Sequence, residues 1–165
     1  MNKPIIKIRT AVFDDISAIV EMYRQTVHAV NSKDYTHEQI RVWADGSRNY
    51  PRWEIAIRDQ YFVLAEIDGE VAGFSSIAKD GYLDFMYVNK DYQRCGVATA
   101  LLTEIENKTM EQKNAEIYSH VSKTAKGFFL KMGYEHIEDL QDLYKGVLFI
   151  NALMVKKMTV KMAKK

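Results

Sequence analysis

Long apolar runs, disulfide-forming cysteines and a strong net charge are all missing from this 165-residue chain. The one cysteine, Cys95, cannot close an intramolecular disulfide and points to a reducing compartment. No apolar run reaches membrane-spanning length, and the start, MNKPIIKIRT, lacks the apolar stretch of a signal peptide, so the expected location is cytoplasmic. With 23 Lys and Arg against 22 Asp and Glu, the net charge of +1 gives no whole-molecule field for nucleic acid or a membrane, and neither is expected as a partner. Lys156, Lys157, Lys161, Lys164 and Lys165 read as a solvated tail. His28, His37, His120 and His136 show no ligand spacing, so no metal is expected. Only Pro4 and Pro51 are prolines, and no linker, repeat or low-complexity segment breaks the chain. It reads as a single domain over 1–165, ordinary in its 47% hydrophobic and 27% charged content.

What is there is a clear succession of patterns. Ile5–Ala11 reads as a strand. Asp14 suits the N-cap of a helix whose apolar positions Ile16, Ile19, Val20, Tyr23, Val27 and Val30 recur at helical spacing. Thr36 with Gln39 forms a capping-box pattern for a second helix that ends near Gly46. Strands at Tyr61–Ile67 and Val71–Ile77 flank Asp68-Gly69, a hairpin signal, and Tyr82–Val88 is another strand. A helix over about Gly96–Lys108 and a strand at Ala115–Val121 follow. Ala125, Phe128, Phe129 and Met132 then mark a short helix stopped by Gly133, and strands near Tyr134–Asp139 and Leu148–Val155 close the chain. The order β-α-α-β-β-β-α-β-α-β-β implies a three-layer α/β/α arrangement.

The most informative stretch is Tyr82–Leu102, an apolar strand, a polar loop and an amphipathic helix. A helix mouth built from small residues presents unpaired N–H groups and the positive end of the helix dipole, which suits a pyrophosphate. The loop has neither the GxGxxG of a dinucleotide fold nor the G-K-[ST] of a P-loop.

Gln93-Arg94-Cys95-Gly96-Val97-Ala98 resembles the acetyl-CoA signature [QR]-x-x-G-x-[GA] of the GNAT N-acetyltransferase superfamily. Ala125-x-x-Phe128-Phe129-x-x-x-Gly133-Tyr134 is similar to that family's second motif, A-x-x-x-[YF]-x-x-x-G-[FY]. The segment Asp34-Tyr35-Thr36-x-x-Gln39-x-x-x-Trp43-Ala44 resembles a bacterial branch often called YafP-like. The resemblance implies a mixed, mostly antiparallel central sheet splayed between its fourth and fifth strands, acetyl-CoA as co-substrate, and an amine of a small molecule or peptide as acceptor. It admits a homodimer.

The resemblance also implies roles residue by residue. The main chain of Met86 and Val88 would hold the pantetheine arm. The pyrophosphate would lie on the N–H groups of Arg94, Cys95, Gly96, Val97, Ala98 and Thr99, with the Gln93 side chain nearby. Gly96 and Ala98 suit a close backbone approach and equally suit tight helix–sheet packing. Ser122, Ala125, Phe128 and Phe129 would complete the cofactor wall. Tyr23, His28, Tyr35 and Trp43 would hold the acceptor, as aromatics with polar handles.

Two departures stand out. Ser122 occupies a position usually held by Asn, and Phe129 one usually held by the tyrosine that protonates the leaving thiolate. Tyr87, Tyr118 and Tyr134 are candidate replacements, as is water. For deprotonating the amine, the candidates are Asp84 and His120. Strand alternation places Asp84 with Met86 and Val88 on one face. As a carboxylate in an apolar strand, Asp84 reads equally as a base or as the partner of a structural cation. Phe129 also leaves open a CoA-binding protein without catalysis, acting as sensor or interaction module. An interaction scaffold using an edge strand near Leu148–Val155 is the third reading.

Overall fold

A computed structural model describes residues 3–159. A short strand β1 (Lys7–Thr10) leads into three helices, α1 (Ile16–Ala29), α2 (His37–Asp45) and α3 (Tyr50–Asp59). The meander β2 (Tyr61–Ile67), β3 (Glu70–Ile77) and β4 (Leu83–Val88) follows, then α4 (Val97–Glu111), β5 (Glu116–Val121), α5 (Lys123–Lys131), β6 (Glu135–Tyr144) and β7 (Val147–Lys157).

The local chemistry behind these elements is direct. The Thr36–Gln39 capping box forms in both directions, at 3.2 and 2.9 Å. Asp68 and Gly69 both take positive φ (51° and 79°), as a two-residue hairpin turn requires. Asp15 rather than Asp14 organises the entry to α1: its carboxylate accepts the Val12 N–H at 2.8 Å and pairs with Arg9 at 2.8 and 2.9 Å. α3 was not among the expected elements. Pro51 opens it, and it is fixed by Trp53, which stacks on Phe85 at 4.6 Å and donates from Nε1 to the Gly46 carbonyl at 3.1 Å.

β1–β4 form one antiparallel sheet in chain order, and β5, β7 and β6 form a second with β7 in the centre. β7 pairs with β6 from Val147 to Val155 and with β5 from Ala152 to Lys157, so among the described residues only Leu148 to Asn151 of the expected Leu148–Val155 edge keep an unpaired side. It also runs to Lys157. Lys156 is anchored by Glu106 at 2.8 Å and the Met132 carbonyl at 3.1 Å, so that lysine belongs to the sheet rather than to a tail. Lys161, Lys164 and Lys165 lie outside the described residues.

The two sheets touch through a single parallel bridge, Tyr82 with Tyr118, and the Ser119 hydroxyl donates to the Leu83 carbonyl at 2.8 Å. Helices cover both faces. α1–α3 pack over Phe62, Leu64, Phe74 and Phe85, while α4 and α5 pack over Val63, Ala65, Ile117 and Met154. α4 approaches closely at Gly73, where an added Cβ would lie 2.8 Å from the Tyr87 carbonyl and 2.8 Å from the Val97 side chain. That glycine sets how near the α4 N-terminus comes to β4.

Candidate active site

A cleft of ≈ 980 Å³ opens where β4 and β5 part, and runs from the mouth of α4 to the ends of α3 and the β6–β7 hairpin. Gln93, Arg94, Gly96, Val97, Ala98 and Thr99 line one end. Arg94 (φ 59°) and Gly96 (φ 85°) take left-handed conformations that turn the chain into α4. Gly96 is the N-cap and has no side chain to cap with. Val97, Ala98 and Thr99 start the helix, and the first intrahelical bond reaches from Ala100 N to the Gly96 carbonyl at 3.0 Å. The N–H groups before it are free of helical acceptors, the arrangement that suits an anion. A Cβ at Gly96 would meet nothing nearer than Ile6, at 4.0 Å, so the requirement for glycine within the protein is conformational, not spatial.

The strand edge beside this loop is available to a ligand. Tyr87 and Asn89 lie on the β3 side of the ladder, Asn89 N donating to the Ala72 carbonyl at 2.8 Å. By antiparallel alternation, Met86 and Val88 direct their N–H and C=O groups toward β5. The Val88 carbonyl is already engaged by Gln93 Nε2 at 2.7 Å and by the Thr26 hydroxyl at 3.4 Å. Gln93 thus braces the loop from within, turned back onto its own strand. The Cys95 thiol packs toward the Gln93 carbonyl at 3.5 Å and its residue does not line the cleft.

Ser122 caps α5, its hydroxyl accepting from Ala125 N at 3.2 Å, and Ser122, Ala125, Phe128 and Phe129 line the opposite wall. Phe129 is buried, edge-on to Tyr134 at 5.0 Å. Tyr134 is a correction: it is 3% exposed, its hydroxyl donates to Glu106 at 3.2 Å, and it lies behind α5 outside the cleft lining. Burial and then Glu106 push its titration far above the usual tyrosine range, and its proton is committed to Glu106 outside the cleft. Tyr118 is also removed, because its hydroxyl donates to Asp80 at 2.7 Å away from the cleft lining. Tyr87 stays in the cleft, its oxygen accepting from Trp43 Nε1 at 3.0 Å, with burial raising its titration.

Asp84 corrects the strand-alternation argument. The β3–β4 register slips between Ser76 and Ile77, which pairs Ile77 with Leu83 and Ser76 with Phe85 and leaves Asp84 as the extra residue of a β-bulge. Leu83 therefore joins Met86 and Val88 over α4, and Asp84 turns with Phe85 toward α3. There it pairs with Arg52 at 2.8 Å and accepts from Gln60 at 2.9 Å, with its side chain 6% exposed. The structural cation is Arg52, supplied by the helix the sequence reading lacked. His120 lines the cleft on β5, edge-on to Tyr82 at 5.4 Å, with Nδ1 3.8 Å from Asp142.

Of the four expected acceptor residues, two line the cleft. Tyr23 donates to the Trp43 carbonyl at 2.8 Å, and Trp43 reaches Tyr87. His28 is exposed on the outer face of α1 and does not line it. The Tyr35 side chain is used differently: its hydroxyl accepts the Lys123 N–H at 2.8 Å, and the neighbouring Asp34 accepts from Thr124 at 2.8 Å. The α1–α2 connection is thereby strapped onto the first turn of α5. Arg52, Tyr82, Asp142 and Asn151 line the same chamber and were missed. The apolar run Trp53, Ala56, Ile57 behind Pro51 was the signal that could have exposed Arg52. Among the described residues no group of three or more His, Cys, Asp or Glu side chains is placed to hold a metal, and no helix is long and apolar enough to cross a membrane.

A family model for the acetyltransferase (GNAT) domain matches residues 31–157. The chain is 28% identical over 149 residues to the uncharacterized N-acetyltransferase YafP of Escherichia coli strain K12, spanning 90% of this chain and 94% of that protein. Its fold is similar to a GCN5-related N-acetyltransferase from Rhodopseudomonas palustris, with a TM-score of 0.88 and 22% identity over 95% of this chain and 97% of the other. It is also similar to the PaiA N-acetyltransferase of Thermoplasma acidophilum in complex with coenzyme A, with a TM-score of 0.76 and 23% identity over 93% and 99%. With its α4 mouth, its parted β4 and β5 and a domain match over most of its length, the chain belongs to the GNAT acetyltransferases.

Proposed function

We propose that the protein transfers an acetyl group from acetyl-CoA to a primary amine of a small molecule or peptide, directly within a ternary complex. The observation that carries this reading is the continuity of the cleft, which leads from the uncapped α4 N-terminus past the open edge of Met86 and Val88 to a chamber holding Asp84 and His120. The PaiA structure holds coenzyme A on the same fold. Pyrophosphate binds the helix mouth, the pantetheine arm lies along β4, and the thioester reaches the point where β4 and β5 meet. The amine loses a proton to His120 or, through water, to Asp84; its nitrogen attacks the thioester carbonyl, the C–S bond breaks and CoA leaves as the thiol. Tyr82 and Tyr87 are the hydroxyls in the chamber that replace the one Phe129 lacks. Burial, then Asp84, raises the titration of Tyr82 to about 12, so it is a proton-bearing group at neutral pH. Holding amine and thioester in contact contributes roughly 7–11 kcal/mol to lowering the barrier.

The test is thiol release from acetyl-CoA with a panel of amines, with the acetylated product identified by mass. A second reading, a CoA-binding module without chemistry, is favoured by buried Phe129. Micromolar CoA binding with no thiol release across the panel would establish it in place of the first.

A further inference from the structure

Charge is distributed unevenly over the acceptor chamber. Apart from tyrosines, the ionisable groups lining the cleft are Arg52 on α3, Asp84 on β4, Arg94 at the α4 mouth, His120 on β5, Lys131 on α5 and Asp142 on β6. Asp84 is already satisfied by Arg52 and Gln60. Asp142 is not. Its Oδ2 accepts from Asn151 at 2.8 Å, while His120 stands at 3.8 Å, beyond hydrogen-bond reach, and its side chain is 43% exposed. Asp84 has its cation in Arg52, whereas Asp142 has no lysine or arginine in hydrogen-bond contact among the described residues and stands open beside His120. A carboxylate without a cationic partner attracts an ammonium and opposes a carboxylate. Register places Asp142 opposite Phe149 on the hairpin face that also carries Tyr144, and Trp43 closes the same wall at 6.1 Å from Phe149. These aromatic surfaces suit an apolar or aromatic body.

We propose that the acceptor is a small primary amine with an apolar or aromatic body and no carboxylate, received as its ammonium ion by Asp142. The proposal rests on the acetyl-transfer reading above. On binding, the ammonium sits between Asp142 and His120. One N–H proton passes to the His120 ring, the freed lone pair forms the C–N bond as C–S breaks, and the amine's second proton leaves with the thiolate as CoA thiol. Asp142, held by Asn151, stabilises the imidazolium. Tyr82 just before β4, Asp84 and Tyr87 from β4, Arg52 from α3, Tyr23 from α1 and Tyr144 from β6 are the other titratable or charged groups lining the cleft, with Arg94 at the α4 mouth and Lys131 on α5.

The experiment uses matched pairs, 2-phenylethylamine with phenylalanine and tyramine with tyrosine. It measures thiol release with acetyl-CoA and calorimetric binding to the CoA-saturated protein, for the parent chain, Asp142→Asn and Asp142→Glu. The amines are expected to exceed their amino acids by about tenfold or more in kcat/KM. Asp142→Asn should bring the ratio to within about threefold, chiefly through KM, and Asp142→Glu should restore much of it. Equal or better use of the amino acids, or a ratio indifferent to Asp142→Asn, overturns the proposal. So does CoA binding with no binding or turnover of any amine in the set. If 2-phenylethylamine binds in an Asp142-dependent way while no thiol is released, the transfer reading falls and this assignment stands.

Discussion

The two ends of the cleft are built from different materials. At the α4 end the cleft is lined by the start of a helix, where Gly96 to Thr99 offer backbone N–H groups without helical acceptors and Gly96 has no side chain. At the chamber end the main-chain groups are largely spent in ladders and the ligand meets side chains: Arg52, Tyr82, Asp84, His120, Asp142 and Asn151, drawn from five elements spread over a hundred residues. A backbone site tolerates many sequences provided one glycine sits where φ must be positive. A side-chain site is reset by single substitutions. One fold can therefore keep its cofactor end and vary its acceptor end.

The sharpest way to break this contrast is Gly96→Glu. At φ 85° any side chain costs about 1–2 kcal/mol, and a carboxylate at the helix mouth displaces an anion. CoA affinity should fall by about a hundredfold or more while the melting transition survives, as read by calorimetry and thermal unfolding. Undiminished affinity would mean that the α4 mouth does not hold the phosphates. Next comes Asp84→Asn, expected to lower turnover by about ten- to a hundredfold with CoA affinity within about threefold. An unchanged pH–rate profile in that variant would reduce Asp84 to the partner of Arg52.

Gly73→Ala tests how α4 is placed. Its Cβ would strike the Tyr87 carbonyl and Val97, so a loss of about 1–3 kcal/mol in denaturant unfolding is expected, along with weaker CoA binding as α4 shifts. Alkaline stability sharpens the chamber end. Tyr82 titrates near 12 in the fold and near 10 when unfolded, so its contribution is complete below pH 10 and is lost as pH rises from 10 to 12. That loss is about 3 kcal/mol at most, and Tyr82→Phe should flatten the slope of unfolding free energy against pH in that window. The smallest effect is Tyr35→Phe. Without the hydroxyl that accepts Lys123 N–H, α5 should lose about 1 kcal/mol, and CoA binding should weaken by several-fold.

The same contrast explains what the sequence made legible. The helix after the loop, the Asp68-Gly69 hairpin and the capping box at Thr36 are short-range arrangements, and each stands as the local pattern required. α3 was hidden because only Trp53 and Ala56 of its ten residues are buried, too thin an apolar stripe to announce a helix; packing on Phe85 decides it. Asp84 was assigned to the wrong face because alternation assumes an unbroken ladder, and one bulged residue inverts it. Tyr134 follows its glycine as the motif has it, yet where its hydroxyl ends depends on Glu106, twenty-eight positions away. Arg52 and Asp142 were absent from the expected site for the same reason: long-range pairing alone brings them together.

The single rung between β4 and β5 carries a thermodynamic consequence. Met86 and Val88 present part of a ladder with no strand to complete it. A ligand lying along that edge acts as a missing structural element, and it binds only the folded chain. At a ligand concentration a hundred times its dissociation constant, folding gains about 2.7 kcal/mol. On the proposed reading of the site, the melting temperature of this protein gauges its CoA supply, and a fall in CoA would lower its stability as well as its turnover.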